Sequence, residues 1–481
     1  MNKFYVTTPI YYINDIPHIG HAYTTVAADI VARYYQQKLG KENVFFLTGT
    51  DEHGAKIAAA AVKNNKNPKE YADSVVPKFK EAWKLLDINY SHFFRTTDIR
   101  HEELVSEILQ KIYDKGLIEE GIYEGLYCVG CERFLNESDL VNGKCPLHPN
   151  KIPVHQKEKN YFFKLSTFKQ DLIKDFTRDV VSILPDSKKK EILGKLKEEL
   201  KDIAISREEV SWGIPIPWDN KQTIYVWVEA LFNYYTATQF LENKKEFWPA
   251  NLHLIGKDIL WFHTVIWCAL LKAAGLPLPK TVFAHGFFSI NGQKISKSLG
   301  NVISPQELTD KFGVDATRYL LVSQFPFGED GDFSLDKLKK SYNTNLANGL
   351  GNLIARVAKL CENARFKQTI TPNNGHVILE REEFEKALKK YRFNDALTII
   401  WGKITNLDKY LNEEKPWELL KQPEGSKKLQ NIEHILAHTV NQIQEIAILI
   451  TPFMPETSEK IKSQFEKPEI VSQEPLFPRI I

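Results

Sequence analysis

Residues 3–54 read KFYVTTPIYYINDIPHIGHAYTTVAADIVARYYQQKLGKENVFFLTGTDEHG. The apolar segments KFYVTT and NVFFLT are rich in β-branched and aromatic residues and predict strands. Between them, a segment from about His18 to Leu39 carries alanines, Val26 and Ile30 on one side and predicts a helix. A second alanine-rich helix is predicted over residues 55–63. Because strand, helix and strand alternate in this order, we expect a βαβ unit with a parallel sheet.

The α/β pattern is interrupted once and then resumes. Over residues 116–158 it breaks into short strand-like pieces, and three closely spaced prolines are expected to exclude long regular elements. Residues 166–210 are Lys/Glu-rich and helical in pattern, and strand-like segments then return with QTIYVWV and LHLIGKD. Beyond about Leu335 only amphipathic helices are predicted, at 336–365, 378–390, 393–412, 416–422 and 426–450. We therefore predict an α/β domain that is split by an insertion and followed by an all-α helix bundle.

Composition excludes several classes of protein. Of the 481 residues, 43% are hydrophobic and 26% charged, which excludes disordered, collagen-like and low-complexity chains. The longest apolar stretch, Ile259–Leu271, is shorter than the roughly 20 residues that span a membrane, and the N-terminus lacks the features of a signal or transit peptide, so we expect no membrane partner. The net charge is only +2, so local patches must hold any polyanionic partner. Three of the five cysteines cluster, which favours a metal site over disulfides and hence a reducing, cytoplasmic compartment.

The segment Pro17–His21, PHIGH, lies where a predicted strand and loop lead into a helix. Free backbone N–H groups and the positive end of the helix favour an anion there, and the spacing puts His18 and His21 on one face. The absent side chain of Gly20 would let a purine approach the backbone. Two imidazole donors would then meet a polyphosphate. The alternative is that His18 caps the helix and His21 is a surface residue whose bonds are satisfied.

A second phosphate-binding pattern lies far along the chain, where Lys294–Asn301 reads KISKSLGN. Lysine is a compact charge suited to phosphate oxygens, and a small mobile loop can close on a triphosphate and neutralise charge as the transition state forms. A solvated surface loop explains most single KxxK strings. The pairing of HIGH near the first strand with KISKS in a later α/β segment favours nucleotide chemistry.

The insertion carries a candidate zinc site. Cys128 and Cys131 form a Cys-x2-Cys pair, and thirteen residues later Cys145 and His148 form a Cys-x2-His pair. Three thiolates and one imidazole at these spacings predict a single structural zinc ion in tetrahedral geometry. A catalytic zinc is less favoured, because protein side chains would fill all four positions. Chance clustering is the other alternative.

HIGH and KISKS together resemble the two signatures of the class I aminoacyl-tRNA synthetase family, with Ile295 where the family usually has Met. A small zinc knuckle in place of a large editing domain is similar to the methionine-specific members. The similarity extends over nearly the whole chain, through the strings TTPIYYIND, PHIGHAYTTVAADI, TGTDEHG, YCVGCERF, CPLH, WGIPIPWD, YVWVEAL, LIGKDILWFHTVIW and NGQKISKSLGN. It implies a Rossmann-type catalytic domain that activates L-methionine with ATP and Mg²⁺, releases pyrophosphate and charges the 3′-terminal adenosine of tRNA(Met).

The resemblance also implies roles for individual residues. Catalysis would fall to His18, His21, Lys294 and Lys297, and ATP would be bound by these four with Gly20, Gly256 and Asp258. The side chain of methionine is expected among Ile10, Tyr12, Trp227, Ala230, Leu231, Tyr234, His263 and Trp267, with Asp51 on its ammonium group. Positions 227, 230, 231 and 234 form one helical stripe, and 263 and 267 form an i, i+4 pair. Without the motifs, these stripes would be ordinary core and Asp51 a turn residue.

A nucleic-acid partner is indicated in the helical part. Residues 337–367 contain seven Lys or Arg and one acid, Glu362, and could meet phosphates, although a solvated basic face is the alternative. The resemblance places Trp417 on a splayed anticodon base and Asn352 and Arg356 at base edges. Trp417 could otherwise anchor a Pro-initiated helix.

Pattern and resemblance together divide the chain into five regions. These are the two halves of the Rossmann catalytic domain at 1–115 and 211–280, the connective insertion with the zinc knuckle at 116–210, a KISKS-bearing stem-contact region at 281–335 and an α-helical anticodon-binding domain at 336–481. A monomer is expected, because the OB-fold appendage by which some relatives dimerise is missing. One alternative function is a HIGH-superfamily nucleotidyltransferase acting on a small molecule, which would not need the helical domain. Another is a zinc-knuckle RNA-binding protein with an inactive α/β part, which the intact motifs disfavour.

Overall fold

The structure is a computed structural model that describes residues 2–14, 16–128, 133–135, 137, 140–146, 150–294, 302–368, 379–422 and 427–480. The chain forms two compact units, each built from separate stretches of sequence. The first unit comprises Met1–Ile16, Asn43–Glu81 and Tyr90–Ala284. The second comprises Pro17–Glu42, Ala82–Asn89 and His285–Ile481. The five predicted domain ranges stay a prediction.

Sixteen strands lie in the described part of the chain, and most of them are short. They are β1 Phe4–Tyr12, β2 Val44–Asp51, β3 His92–Arg95, β4 Ile118–Cys128, β5 Arg133–Leu135, β6 Val154–Phe163, β7 Ser182–Leu184, β8 Ile203–Ala204, β9 Ser206–Arg207, β10 Pro215–Ile216, β11 Asp219–Ile224, β12 Leu252–Gly256, β13 Thr281–His285, β14 Phe288–Ile290, β15 Gln293–Lys294 and β16 Gly331–Phe333.

A six-stranded sheet organises the first unit, in the order β3-β2-β1-β12-β13-β7. The pairs β1–β2, β2–β3, β1–β12 and β7–β13 are parallel, which confirms the predicted parallel sheet. Every residue of β2 and β12 is buried, as expected for strands covered on both faces. The strand order reverses between β1 and β12. In open α/β sheets a ligand binds beyond the carboxyl ends of the strands at such a switch point.

The insertion is a separate antiparallel sheet in the order β5-β4-β6-β8. Strand β4 is 11 residues long and β6 is 10, and they pair from Ile118 with Phe163 to Tyr127 with Val154. The expectation that prolines exclude long elements here is therefore wrong. Pro146, Pro149 and Pro153 all fall between β5 and β6, so they interrupt the connection and leave both long strands intact.

Eighteen α-helices lie in the described part of the chain, and they range from 4 to 24 residues in length. They are α1 Ile19–Leu39, α2 Ala55–Lys63, α3 Pro68–Leu85, α4 Ile99–Asp114, α5 Lys169–Thr177, α6 Asp186–Lys195, α7 Val226–Leu231, α8 Asn233–Phe240, α9 Trp267–Ala274, α10 Pro305–Phe312, α11 Val314–Ser323, α12 Leu335–Ser341, α13 Asn352–Ala364, α14 Leu379–Lys389, α15 Phe393–Glu414, α16 Pro416–Leu419, α17 Lys427–Ile450 and α18 Pro455–Phe465. Two π-helical segments, Phe262–Ile266 and Tyr342–Gly351, precede α9 and α13.

The predicted helical C-terminal region is confirmed, with three differences in detail. The helix expected over 336–365 is three consecutive segments, because the π-helical turns of Tyr342–Gly351 lie between α12 and α13. Helix α16 ends at Leu419, three residues earlier than expected. Helix α18 was not predicted, and it begins at Pro455, whose fixed φ and missing N–H suit the first helical position.

Buried charge joins several segments of the second unit. Arg318 on α11 is fully buried and pairs with the equally buried Asp29 on α1, at 2.6 Å between Nη2 and Oδ2. The same guanidinium donates to the carbonyls of Leu86, Pro452 and Phe453. A buried arginine is tolerated only when its donors are satisfied. This network therefore fixes α1, α11 and the turn before α18 in one arrangement.

Hydropathy along the helices agrees with the absence of a long apolar stretch in the sequence. Within the described ranges, no helix combines the length and the apolar character needed to cross a membrane.

Candidate active site

A cavity with an empty volume of about 280 Å³ lies at the carboxyl ends of β1 and β2. It is lined by Pro9, Ile10, Tyr12, Asp51, Trp227, Ala230, Leu231, Asn233, Tyr234 and His263. Eight of the nine residues predicted to surround methionine are in this lining. The remaining one, Trp267, is fully buried behind Tyr234, with the two ring centroids 6.2 Å apart.

Sheet register brings the cavity's two strand-derived walls together. Tyr12 and Asp51 are partners in the parallel pairing of β1 with β2, so the ends of both strands reach the same edge. The pairing shifts register between Thr7 and Ile10. This irregularity accompanies the appearance of Pro9 in the lining, which the sequence pattern did not predict. A proline fits an interrupted ladder, because it has no N–H to donate.

A break between two helices supplies the opposite wall. Helix α7 carries Trp227, Ala230 and Leu231, and α8 begins directly after Phe232. At this junction Asn233 donates its Nδ2 to the carbonyl of Ala230 at 2.6 Å. Asn233 was missed because it lies outside the apolar stripe. Its only signal in the sequence was a polar residue beside that stripe.

The histidine in the lining is neutral. His263 Nδ1 donates to the carbonyl of Ile259 at 3.0 Å, so Nε2 is left to accept a hydrogen bond from the Tyr234 hydroxyl at 2.8 Å. Complete burial lowers the pKa of His263 to about 4. Burial likewise raises the pKa of Tyr234. The cavity wall therefore carries no charge on this side, which suits an apolar and polarizable side chain.

A second neutral histidine supports the first from behind. His253 Nδ1 lies 2.8 Å from the Thr7 hydroxyl, and the Trp267 indole N–H points at Nε2 from 3.4 Å. Burial, with a smaller contribution from His263, lowers the pKa of His253 well below its usual value. The His253 ring packs against Tyr234, with the two ring centroids 4.4 Å apart. Trp267 thus acts on the cavity wall through its contact with His253.

The HIGH segment forms the start of α1 in the second unit. His18 Nδ1 accepts from the backbone N–H of Gly20 at 3.0 Å, and His21 Nδ1 accepts from the backbone N–H of His18 at 3.1 Å. Each neutral ring therefore carries its proton on Nε2. The rings stack with centroids 3.9 Å apart, and burial, then His18, lowers the pKa of His21 well below its usual value. The alternative that His18 caps the helix is thus correct, and capping leaves a donor on each ring.

Glycine is required at position 20 for a local reason. A Cβ there would lie 2.7 Å from Cε1 of the capping His18 ring. The N-terminus of α1 also bonds to the segment after KISKS, because the backbone N–H of Ile19 donates to the carbonyl of Ile303 at 3.1 Å. Lys294 is described only in its backbone, at the end of β15, and Lys297 lies outside the described residues.

Two residues that the resemblance assigns to ATP lie at the switch point of the sheet. Gly256 is the last residue of β12, the strand beside β1, and Asp258 follows in a short 3₁₀ turn, Lys257–Ile259. This is the position after a strand at which the sequence predicted them.

Two of the four predicted zinc ligands are described. Cys128, at the end of β4, and Cys145 are both 1% exposed and pack with Leu135 in one small cluster. Cys131 and His148 lie outside the described residues. Over the ranges that the structure describes, no group of three metal-binding side chains is found.

The predicted anticodon residues are on the C-terminal helices. Arg356 on α13 pairs with Asp408 at 2.6 Å and donates to Asn412 Oδ1 at 3.2 Å. Its guanidinium carbon lies 5.8 Å from the ring centroid of Trp417, which is half-buried on α16. Asn352, one helical turn before Arg356, is exposed. Trp417 and Arg356 therefore form one surface feature.

Comparisons with known proteins agree with this geometry. The family described as tRNA synthetases class I (M) matches residues 4–152 and 148–358, and the anticodon-binding domain of tRNA ligase matches residues 381–480. A methionine–tRNA ligase of Caldanaerobacter subterraneus is 44% identical over 96% of this chain and 73% of its own length. One of Thermotoga maritima is 42% identical over 98% and 77%. The structure of Mycobacterium tuberculosis methionyl-tRNA synthetase in complex with methionyl-adenylate superposes with a TM-score of 0.91 at 33% identity, over all of both chains.

Proposed function

This chain belongs to the methionine–tRNA ligases of the class I tRNA synthetases, and we propose that it joins L-methionine to tRNA(Met) in two steps that use ATP. In the first, the carboxylate of methionine attacks the α-phosphorus of ATP and pyrophosphate leaves. In the second, a ribose hydroxyl of the 3′-terminal adenosine of the tRNA attacks the carbonyl carbon of the adenylate, an ester forms and AMP leaves. A match to a class I catalytic domain, followed by a match to an anticodon-binding domain, supports the proposal.

The cavity at the ends of β1 and β2 is the observation that carries the proposal. We assign its Asp51 carboxylate to the ammonium group of methionine, and the walls of Ile10, Trp227, Ala230, Leu231 and the Tyr234–His263 pair to the thioether side chain. The neutral histidine supports this assignment, because a protonated ring would place an unpaired charge against an apolar substrate.

Positioning and charge neutralisation suffice for the first step, because the attacking carboxylate is already ionised. We propose that the Nε2 donors of His18 and His21, with Lys294 and Lys297, contact the triphosphate as its charge develops. Gly256 and Asp258 would bind the nucleoside at the switch point. Mg²⁺, when bound to the triphosphate, supplies further positive charge.

Pyrophosphate exchange tests the function directly. Each of the twenty amino acids is offered with ATP and labelled pyrophosphate, and methionine is expected to give the highest kcat/KM. A better substrate among the other nineteen would overturn the proposal. Exchange that does not depend on any amino acid would favour the nucleotidyltransferase alternative.

We further propose one structural zinc per chain, held by Cys128, Cys131, Cys145 and His148. The two described thiols fit this assignment, because both are buried in the same small cluster at the end of β4. Elemental analysis of the purified protein is expected to find one zinc per chain. Cys145→Ser should lose the metal and make residues 116–158 sensitive to protease, since structural zinc couples to local folding. Zinc-free wild-type protein would contradict this assignment.

For tRNA, we propose that Trp417 stacks on an anticodon base and that Arg356 and Asn352 reach base edges. The proximity of Arg356 to the Trp417 ring supports a single recognition surface. Trp417→Ala should weaken tRNA recognition by ~1–3 kcal/mol and leave pyrophosphate exchange unchanged. If both activities fall with the melting temperature, Trp417 is a core residue. A monomeric, cytoplasmic protein stays a prediction, which light scattering and cell fractionation would test.

A further inference from the structure

Beside the methionine cavity lies a buried carboxylate that does not line it. Glu229 on α7 is fully buried, and each of its oxygens bonds to a different imidazole. Oε1 lies 3.0 Å from Nδ1 of His53, and Oε2 lies 3.0 Å from Nε2 of His101. Both histidines are themselves almost completely buried. We name these three residues the Glu229 cluster.

The cluster connects parts of the chain that carry the cavity. His53 follows Asp51 by two residues in the turn after β2, and Glu229 lies between Trp227 and Ala230 on α7. His101 belongs to α4, and its Nδ1 lies 2.9 Å from the hydroxyl of Thr236 on α8. One carboxylate therefore links the turn behind Asp51, the helix that forms the opposite wall, and a third helix.

The turn after β2 has no regular backbone ladder at Glu52 and His53. The Trp212 indole donates to the carbonyl of Glu52, and the Gly54 N–H donates to the carbonyl of Trp212. The side chains of Glu52 and His53 add further bonds. Glu52 is bound by Arg95 at 2.7 and 2.8 Å and by Thr97 at 2.6 Å, which fixes the turn to the end of β3. His53 provides its bond to α7. The His53–Glu229 bond therefore connects the turn that follows Asp51 to the helix that carries Trp227, Ala230 and Leu231.

We propose that Glu229 is a positioning residue for methionine, which sets the separation between Asp51 and the wall formed by α7 by holding His53. A substrate with an ammonium group and a side chain bridges these two places, so its affinity depends on their separation. Misplacement on the scale of 1 Å is enough to weaken such a match. The inference rests on the proposed function, because it takes Asp51 as the ammonium site.

The test is the effect of Glu229→Gln on pyrophosphate exchange. The amide keeps the shape of the side chain but removes the charge and one of the two acceptors, so one imidazole must present its unprotonated nitrogen and neither bond is ionic. We expect KM for methionine to rise about tenfold or more, while KM for ATP changes less than about twofold. Glu102→Gln is the matched control. Its carboxylate also faces His53, at 3.6 Å, but is 29% exposed, and KM should stay within about twofold.

A double mutant separates positioning from general damage. If Glu229 acts by placing Asp51 against α7, the loss of methionine affinity in Asp51→Asn should hardly grow when Glu229→Gln is added. If the double mutant instead loses methionine affinity by the product of the two single losses, Glu229 acts independently of Asp51, and the inference is overturned. Equal rises in KM for both substrates would overturn it as well.

A second pair of variants keeps the inference testable if Glu229→Gln does not fold. His53→Asn retains a side-chain N–H close to the position of Nδ1, whereas His53→Ala has none. We expect His53→Asn to keep KM for methionine within about threefold of wild type and His53→Ala to raise it about tenfold. Equal values for the two variants would overturn the inference. A wild-type protein without methionine-dependent exchange would instead refute the proposed function.

Discussion

Two pairs of buried histidines lie beside the methionine cavity, and they differ in their hydrogen-bond partners. His53 and His101 share the carboxylate of Glu229, whereas His253 and His263 bond to a carbonyl, two hydroxyls and an indole. Burial alone would lower the pKa of His53, but Glu229 and, further off, Glu102 outweigh it and raise that pKa. Burial without a carboxylate lowers the pKa of His263 to about 4.

The difference shows that the partner decides in which direction the pKa moves, because His53 and His263 are both buried and their pKa values move in opposite directions. Burial by itself would also raise the pKa of Glu229, yet His53 and His101 hold it below its usual range. The charged cluster can connect segments because ionic hydrogen bonds are strong in a dry interior. Of the neutral pair, His263 lines the cavity, where a charge would be unpaired. One side chain type thus serves both for fixing segments and for lining an apolar cavity.

The largest expected effect comes from removing the shared carboxylate. Glu229→Ala should lower the free energy of unfolding by ~3–5 kcal/mol, because it removes the buried carboxylate to which both imidazoles are hydrogen-bonded. Urea denaturation at pH 7.5 measures this. Glu102→Ala, whose carboxylate is partly exposed, should cost less than ~1 kcal/mol. A similar cost for both variants would mean that the cluster is not held by charge.

The two pairs should respond to pH in opposite directions. The pKa of His263 is about 4 in the folded protein and ~6.5 in the unfolded chain. The free energy of unfolding therefore falls as the pH falls below ~6.5, because the unfolded chain binds the proton more tightly. At pH 5 this effect lowers the free energy of unfolding by about 2 kcal/mol. His263→Gln should remove this amount from the difference in unfolding free energy between pH 7.5 and pH 5. His53 has a raised folded pKa, so its stabilisation is present below ~6.5 and is lost as pH rises through the folded value.

Urea denaturation at both pH values gives these differences, and NMR of labelled histidines gives the charges. His53 should still be protonated at a pH where His263 is neutral. If both rings titrate together near 6.5, the contrast between the pairs is absent and the neutral lining of the cavity is wrong.

Much of the fold could be predicted because it follows local periodicity. The helix predicted at 55–63 is α2, Ala55–Lys63, and the helix predicted from about His18 to Leu39 is α1. The parallel sheet followed from the order of elements, and the helical stripe at 227, 230, 231 and 234 followed from one face of a helix. Strands β4 and β6 were underestimated, because prolines in their connection were taken to exclude long elements on either side.

The Glu229 cluster could not be predicted, because no spacing rule joins residues 53, 101 and 229. Only the pairing of strands and packing of helices in the first unit brings them within hydrogen-bond distance. Asn233 and Pro9 were missed for a related reason. Each depends on an irregularity, a helix break and a register shift, that periodicity does not encode. Local pattern therefore predicted the cavity's regular walls and missed the polar contacts that fix them.

A moderate effect is expected when the neutral pair loses its hydroxyl donor. Tyr234→Phe leaves His263 Nε2 as a buried acceptor without the Tyr234 hydroxyl, at a cost of about 1–2 kcal/mol in the free energy of unfolding. KM for methionine should rise only a few-fold, because the apolar ring of residue 234 remains. Tyr235→Phe, on the same helix but outside the cavity lining, is the control and should be near neutral.

The smallest effect compares the two threonines at the outer ends of the pairs. Thr236 Oγ1 lies 2.9 Å from His101 Nδ1, and Thr7 Oγ1 lies 2.8 Å from His253 Nδ1, and both residues are fully buried. Thr→Val removes one hydroxyl in each case at nearly constant shape. A hydrogen bond in a chain that ends on a carboxylate is stronger than one between neutral groups. Thr236→Val should therefore destabilise the protein by ~0.5–1 kcal/mol more than Thr7→Val.

One local contact must be separated from that difference. Thr236 Oγ1 also lies 3.3 Å from the carbonyl of Asn233 within its own helix, and Val removes this contact too. Thr264→Val measures such a loss alone, because the buried Thr264 hydroxyl donates to the Leu260 carbonyl at 2.7 Å within its own helical segment and has no other side-chain partner among the described contacts. After subtracting that value, Thr236→Val should still cost more than Thr7→Val in urea denaturation. Equal costs would mean that the charge of Glu229 does not strengthen the hydrogen bond between His101 and Thr236. In that case only His53 would differ from the neutral pair.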